Sequence, residues 1–214
     1  MVRAEATVFI VDDEEMVRDT LARLLEGAGW CCRAYASGDE FFKEYGGHSP
    51  ACLLLDMNLP GHNGFEVQRA MAQAGHAMPV IFLTAYADID MGVQAMKAGA
   101  FDFLTKPWNR ERLLDTVRQA IESDRKARHQ EDELAAIRRA YEQLTPRERE
   151  VCQLVATGLL NKQVAYELGV TEKTVKVHRA RVMQKMGVES LAELVHLVER
   201  LGLGLALIED SQNA

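Results

Sequence analysis

No stretch of this chain stays apolar long enough to cross a bilayer. The first hydrophobic run, residues 8–11, stops at Asp12, whereas a helical span needs roughly 20 such residues. Nothing resembles a secretory signal either, so a cytoplasmic protein is expected. Cysteine is scarce: Cys31, Cys32, Cys52 and Cys152 match no zinc-ligand spacing. The adjacent pair Cys31-Cys32 would diverge on a strand, and all four read as small buried thiols in a reducing compartment. Internal repeats and low-complexity tracts are absent. Net positive charge is lacking as well, at −7, which alone argues against a nucleic-acid partner.

The distribution of that charge says otherwise. Up to Glu122 there are 18 acidic and 11 basic residues; beyond it there are 14 of each. The acidic excess therefore lies in the first half. Within residues 171–186, Lys173, Lys176, Arg179, Arg181 and Lys185 face only Glu172. A basic stripe on a neutral domain is the electrostatic footprint of a nucleic-acid reader. The 214 residues, 48% hydrophobic and 27% charged, suffice for two small domains with real cores.

What is present in the first half is an alternation of short β-rich runs and helical stretches. Thr7-Val8-Phe9-Ile10-Val11 is a continuous apolar strand, as expected where helices cover both faces. Residues 14–28 follow, with Val17, Leu21, Leu24 and Leu25 at helical spacing. Four more strands are predicted near residues 32–35, 51–55, 80–83 and 101–104. Helices are predicted from about Gly38, near residues 65–73 and 89–97, and from about Arg110. Five such repeats predict a doubly wound, five-stranded parallel sheet, an α/β domain over residues 1–122. Residues 123–142 contain no Gly or Pro and are mostly charged, which predicts a helical linker. An all-α domain of four short helices is expected over residues 143–214. It opens at Thr145 (N-cap), Pro146 (first helical position) and Glu148, three residues after the cap. Gly158, Gly169 and Gly187 break it. The tail from Gly202 carries no readable signal.

In a doubly wound sheet, ligands bind at the carboxyl ends of the strands. The predicted strands end in Asp12-Asp13, Asp56, Thr84 and Thr105-Lys106-Pro107. Three carboxylates, a hydroxyl and an ammonium should therefore meet at one edge. The carboxylates repel unless a cation joins them, and hard oxygen ligands suit Mg²⁺. A carboxylate can also attack phosphorus, with metal and lysine stabilising the transferring group. Acids favoured by a helix N-terminus would explain Asp12 and Asp13 alone, but not placement at the ends of four strands.

The segments Val8-Phe9-Ile10-Val11-Asp12-Asp13-Glu14, Leu53-Leu54-Leu55-Asp56-Met57-Asn58-Leu59-Pro60-Gly61, Leu83-Thr84-Ala85 and Lys106-Pro107 resemble the flavodoxin-like receiver domain of two-component response regulators. The resemblance implies Asp56 as phospho-acceptor. It implies Mg²⁺, or Mn²⁺, held by Asp13, Asp56 and the Asn58 carbonyl, with Asp12 acting through water. Lys106 would pair with the phosphoryl group, Thr84 would follow it inward, and Phe103 would rotate into the space left behind. A cis Lys106-Pro107 bond is also implied. Pro60, Gly61 and Gly64 fit a loop of unusual backbone angles beside the acceptor.

Between Asn161 and Gly187 the pattern is helix, turn at Gly169, helix. Val164, Ala165 and Leu168 share one apolar face; Val175, His178, Val182 and Met186 share another. The opposite side of the second helix displays Lys173, Lys176, Val177 and Ala180, flanked by Arg181, and can enter a major groove. Lys176, Val177 and Ala180 are expected on the groove floor. Lys162, Thr174, Arg179, Arg181 and Lys185 are expected on phosphates. The words Leu144-Thr145-Pro146-Arg147-Glu148-Arg149-Glu150-Val151 and Lys173-Thr174-Val175-Lys176-Val177-His178-Arg179 resemble the LuxR-type output domain. The combination resembles the FixJ/NarL family.

That resemblance implies a phosphorylation-activated transcription regulator rather than a turnover enzyme. Its partners would be a sensor histidine kinase, double-stranded DNA, RNA polymerase and a second copy of the chain. Dimerisation is expected through the helix at residues 88–97 and the fifth strand. The last helix, with Leu194, Leu197, Val198 and Leu201, would pair output domains or fill their core. An aspartyl-phosphate phosphatase would carry its nucleophile on the first strand with a second aspartate two residues on, a spacing that Asp12-Asp13-Glu14 lacks. A module that titrates a kinase and binds protein would show no specific DNA footprint.

Overall fold

The computed structural model describes residues 6–47, 50–61, 63–85 and 89–203. The chain divides into two compact units, residues 1–128 and 129–214. In the first, strands β1 (Thr7–Val11), β2 (Cys31–Tyr35), β3 (Ala51–Asp56), β4 (Val80–Thr84) and β5 (Asp102–Thr105) form one parallel sheet in the order β2-β1-β3-β4-β5. Helices α1 (Glu15–Glu26), α2 (Gly38–Glu44), α3 (Gly64–Gln73), α4 (Ile89–Lys97) and α5 (Arg110–Glu142) alternate with the strands.

Side-chain alternation along each strand builds two cores. Phe9, Val11, Leu53, Leu55, Val80 and Phe82 point to the face closed by Phe41, Val67, Met71 and Ala95 of α2, α3 and α4. Val8, Ile10, Cys52, Leu54, Ile81 and Leu83 point to the other, closed by Leu21 and Leu25 of α1 and Leu113 and Val117 of α5. Burial on both faces is why β3 and β4 read as unbroken apolar runs. Cys52 and Cys152 are buried, but Cys31 is exposed and Cys32 half-buried. The expectation of four buried thiols fails because β2 is an edge strand.

The first unit extends past Glu122. Asp124, 2% exposed, accepts hydrogen bonds from the Ala51 N–H (2.8 Å) and from Arg128 Nε (2.6 Å). Arg128 Nη1 also donates to the Gly47 carbonyl at 2.8 Å. Residues assigned to a solvated linker are thus fastened to the start of β3. Farther along α5, Ile137 is buried in the core of the second unit.

That unit adds α6 (Pro146–Ala156), α7 (Asn161–Glu167), α8 (Glu172–Met186) and α9 (Leu191–Arg200). Thr145 caps α6 in a reciprocal box with Glu148. Gly187 ends α8 at φ 67°, a left-handed cap that favours glycine. Val151, Cys152, Val164, Val175, Val182, Leu194 and Val198 fill the centre. Leu197 and Leu201 of the last turns pack against that cluster from its margin. Of the tail, residues 204–214 lie outside the described residues.

Candidate functional site

The sheet's order and register bring four strand ends to one edge: Val11 pairs with Leu55, Asp56 with Leu83, and Thr84 with Thr105. Asp12 and Lys106 each follow directly on a strand. Asp12 is fully buried, Asp56 is 5% and Thr84 2% exposed. Lys106 Nζ lies 2.7 Å from Asp12 Oδ2 and 2.8 Å from Asp56 Oδ1, with Glu14 Oε1 at 3.7 Å. The second Asp56 oxygen accepts the Asn58 N–H at 3.0 Å, and Asp12 Oδ1 accepts that of Glu14 at 3.0 Å. The Lys106-Pro107 peptide is cis.

Burial pushes the Asp12 carboxyl above its ordinary value, opposed by its bonds from Lys106 and the Glu14 N–H. Burial also presses on the Lys106 ammonium, but its bonds to Asp12 and Asp56 win and raise it. The ammonium is the cation that lets two buried carboxylates approach each other. Asp13 is exposed, and among the described residues no three acids, histidines or cysteines are arranged to hold a metal. Lys106 lies between the two buried carboxylates. As a donor set, the Asp12, Asp13 and Asp56 carboxylates and the Asn58 carbonyl are hard oxygens, the kind Mg²⁺ takes.

The loop after β3 needs its glycines for two different reasons. Gly61 adopts φ 83°. Gly64 has no unusual angle; a Cβ there would stand 2.8 Å from the Asp56 carbonyl and 2.8 Å from the Phe82 ring. Close packing behind the acceptor, not backbone conformation, demands that glycine.

On the second unit, Lys162, Lys173, Lys176, Val177, Ala180 and Arg181 are exposed, while Val175, Val182 and Met186 are buried. Thr174 is half-buried within the first turn of α8, which Thr171 caps. His178 turns inward, half-buried, its Nδ1 without a partner. Two basic residues are engaged elsewhere. Arg179 Nη1 donates to Asn161 Oδ1 at 3.1 Å, tying α8 to α7. Lys185 Nζ lies 2.6 Å from the buried Glu148 carboxylate and 3.1 Å from the Gln143 carbonyl. Lys185, expected on a phosphate, is here paired with Glu148, which would otherwise be a buried, unpaired charge. Helix periodicity alone does not reveal that partner, which is 37 residues away.

Sequence reasoning also missed Arg18. Its guanidinium bonds the main-chain carbonyls of both Asp12 and Asp13. Its spacing, one turn into the helix that follows the acidic pair, was the available signal.

Both halves match known families: "Response regulator receiver domain" over residues 8–118 and "Bacterial regulatory proteins, luxR family" over residues 142–198. Nodulation protein W of Bradyrhizobium diazoefficiens is 43% identical over 97% of this chain and 92% of its own length. Response regulator protein TmoT of Ectopseudomonas mendocina is 39% identical over 92% and 90%. Among solved structures, response regulator StyR superposes with a TM-score of 0.81 at 44% identity, covering 92% of this chain and all of that one. Full-length FixJ from B. japonicum gives 0.57 at 34% identity, over 94% and 98%. These relatives are regulators, not turnover enzymes, which removes the phosphatase alternative. Among the described residues, no helix is long and apolar enough to cross a membrane. With a receiver carrying a buried aspartate–lysine pocket and a helix-turn-helix unit following it in sequence, this chain is a response regulator of the NarL/FixJ type.

Proposed function

We propose that the chain is a cytoplasmic transcription regulator switched by phosphorylation of Asp56. The observation that carries this reading is Asp56 itself, a buried carboxylate closing β3 with the Lys106 ammonium 2.8 Å away. An Asp56 oxygen attacks the phosphorus of a kinase phosphohistidine. The P–N bond breaks, the imidazole leaves, and an acyl phosphate forms. Mg²⁺ or Mn²⁺, held by Asp12, Asp13, Asp56 and the Asn58 carbonyl, would supply further charge neutralisation. Lys106 releases one carboxylate contact and pairs with the incoming phosphoryl oxygens. The Asn58 N–H, already on Asp56, steadies the acceptor.

Thr84, buried at the end of β4, follows the phosphoryl group and makes room for Phe103. That ring lines a shallow apolar depression of about 450 Å³ with Gly92, Val93, Met96 and Lys97. Val93 and Met96 are 47% and 48% exposed, an apolar pair on α4 suited to a second copy. Asp88, also expected on this face, lies outside the described residues. Dimerisation pairs two output units on half-sites about one helical turn apart. Lys176, Val177 and Ala180 then read bases, while Lys162, Lys173, Thr174, Arg179 and Arg181 contact phosphates. A DNA-bound dimer would in turn meet RNA polymerase.

The test is incubation with acetyl phosphate and Mg²⁺. The expected result is one acid-stable, base-labile adduct, mapped by borohydride reduction to Asp56, with tighter binding to operator DNA. Asp56→Asn should take up no phosphoryl group. Undiminished phosphodonor-stimulated DNA binding by that variant would overturn the reading.

A further inference from the structure

The turn joining β1 to α1 carries two consecutive acids, yet α1 begins without a side-chain cap: Glu14 occupies the N-cap position and makes no capping bond. Asp12 is held through its side chain by Lys106 and the Glu14 N–H. Asp13 is exposed. The Asp12 N–H bonds the Tyr35 carbonyl at 3.2 Å, and the carbonyls of both acids are held by Arg18. Its Nη1 donates to the Asp12 carbonyl at 2.8 Å and to the Asp13 carbonyl at 2.9 Å. That nitrogen carries two hydrogens, so one group serves both carbonyls. The side chain is half-buried, and its own N–H bonds the Glu14 carbonyl at 3.1 Å. Arg18 is therefore tied to the first turn of α1 through its main chain and to the acidic pair through its guanidinium.

We propose that Arg18 is a positioning residue of the cation site. By fixing the carbonyls of Asp12 and Asp13 it fixes the backbone angles at both residues, and with them the directions in which both carboxylates leave the chain. Its positive charge also offsets the gathering of acids at this edge. The role rests on the reading of Asp12, Asp13 and Asp56 as holders of a divalent cation. It adds that their affinity is set from outside the donor set, and that a lysine reproduces it only in part. A lysine ammonium has hydrogens for both carbonyls but rides on a flexible stem, whereas the two Nη1 hydrogens are held in the rigid guanidinium plane.

The experiment is calorimetric titration of the full chain with Mg²⁺, repeated with Mn²⁺ by electron paramagnetic resonance, without phosphodonor. Arg18→Met should weaken cation binding about ten-fold or more, the usual effect of removing a group that orients ligands. Arg18→Lys should fall between that variant and the unaltered chain. The urea midpoint in EDTA should stay near that of the unaltered chain for both. Equal affinity in Arg18→Met would overturn the proposal, as would a loss that only tracks a fall in folded fraction. An unaltered chain that binds neither cation would remove the site reading itself, and the role of Arg18 with it.

Discussion

Lys106 and Lys185 have similar surroundings and different work. Each ammonium lies within 2.8 Å of a buried carboxylate, Asp12 and Asp56 for one and Glu148 for the other. Lys106 sits at an open strand edge, where, in the proposed switch, a phosphoryl group competes for it. Lys185 closes the end of α8 onto the cap of α6, where nothing does. The pH response of the second pair follows from its causes. The Lys185 ammonium and the Thr145 N–H hold the Glu148 carboxyl at about 2, well below its ordinary 4.5. A depressed carboxyl stabilises the fold above the unfolded value and loses that contribution as pH falls toward the folded one. Glu148→Gln should therefore cost about 2 kcal/mol at neutral pH, discounted from a fully buried pair because Lys185 is partly exposed. Urea denaturation should show this difference shrinking between pH 4.5 and about 2. The Asp12 carboxyl, raised by burial, runs the other way: acid relieves it. Glu148 was legible as a capping residue, but its pairing with Lys185 was not, since it depends on where α8 ends in space.

At the scale of elements, α5 was the least legible. Its charged composition reads as a solvated connector, and most of its side chains after Glu122 are indeed polar. Burial of a single acid changes its meaning. Asp124 and Arg128 bond the Ala51 N–H and the Gly47 carbonyl, partners 73 and 81 residues away. A pattern of charges cannot distinguish a face in water from a face against a loop. Asp124→Ala leaves the Ala51 N–H and the Arg128 Nε–H without their acceptor and should cost roughly 2–4 kcal/mol. Hydrogen exchange should report lost protection at residues 122–128 and at Ala51, with Asp56 still accepting a phosphoryl group. Unchanged exchange there would show the bonds to be dispensable. The recognition helix was more legible, because its buried stripe of Val175, Val182 and Met186 leaves the exposed lysines only one side to occupy.

For the whole molecule, the proposed switch depends on joining two apolar α4–β5 faces only after phosphorylation. Met96→Asp places a charge in the middle of that face while leaving the acidic pocket untouched. It should accept a phosphoryl group on Asp56 at an ordinary rate yet remain a monomer by light scattering, with weaker DNA binding than the phosphorylated unaltered chain. A dimer in that variant would move the interface elsewhere. Fold class, the order of strands and helices along the chain, and the residues that end each strand were legible from the sequence. Periodicity and turn chemistry are local, and parallel strands joined through helices must bring their carboxyl ends to one edge. The meeting of Lys106 with Asp12 and Asp56 followed from that edge, but the folded chain was needed to pair Lys185 with Glu148 and Asp124 with the start of β3. Those partners lie 37 and 73 residues apart, beyond the reach of local periodicity and capping patterns.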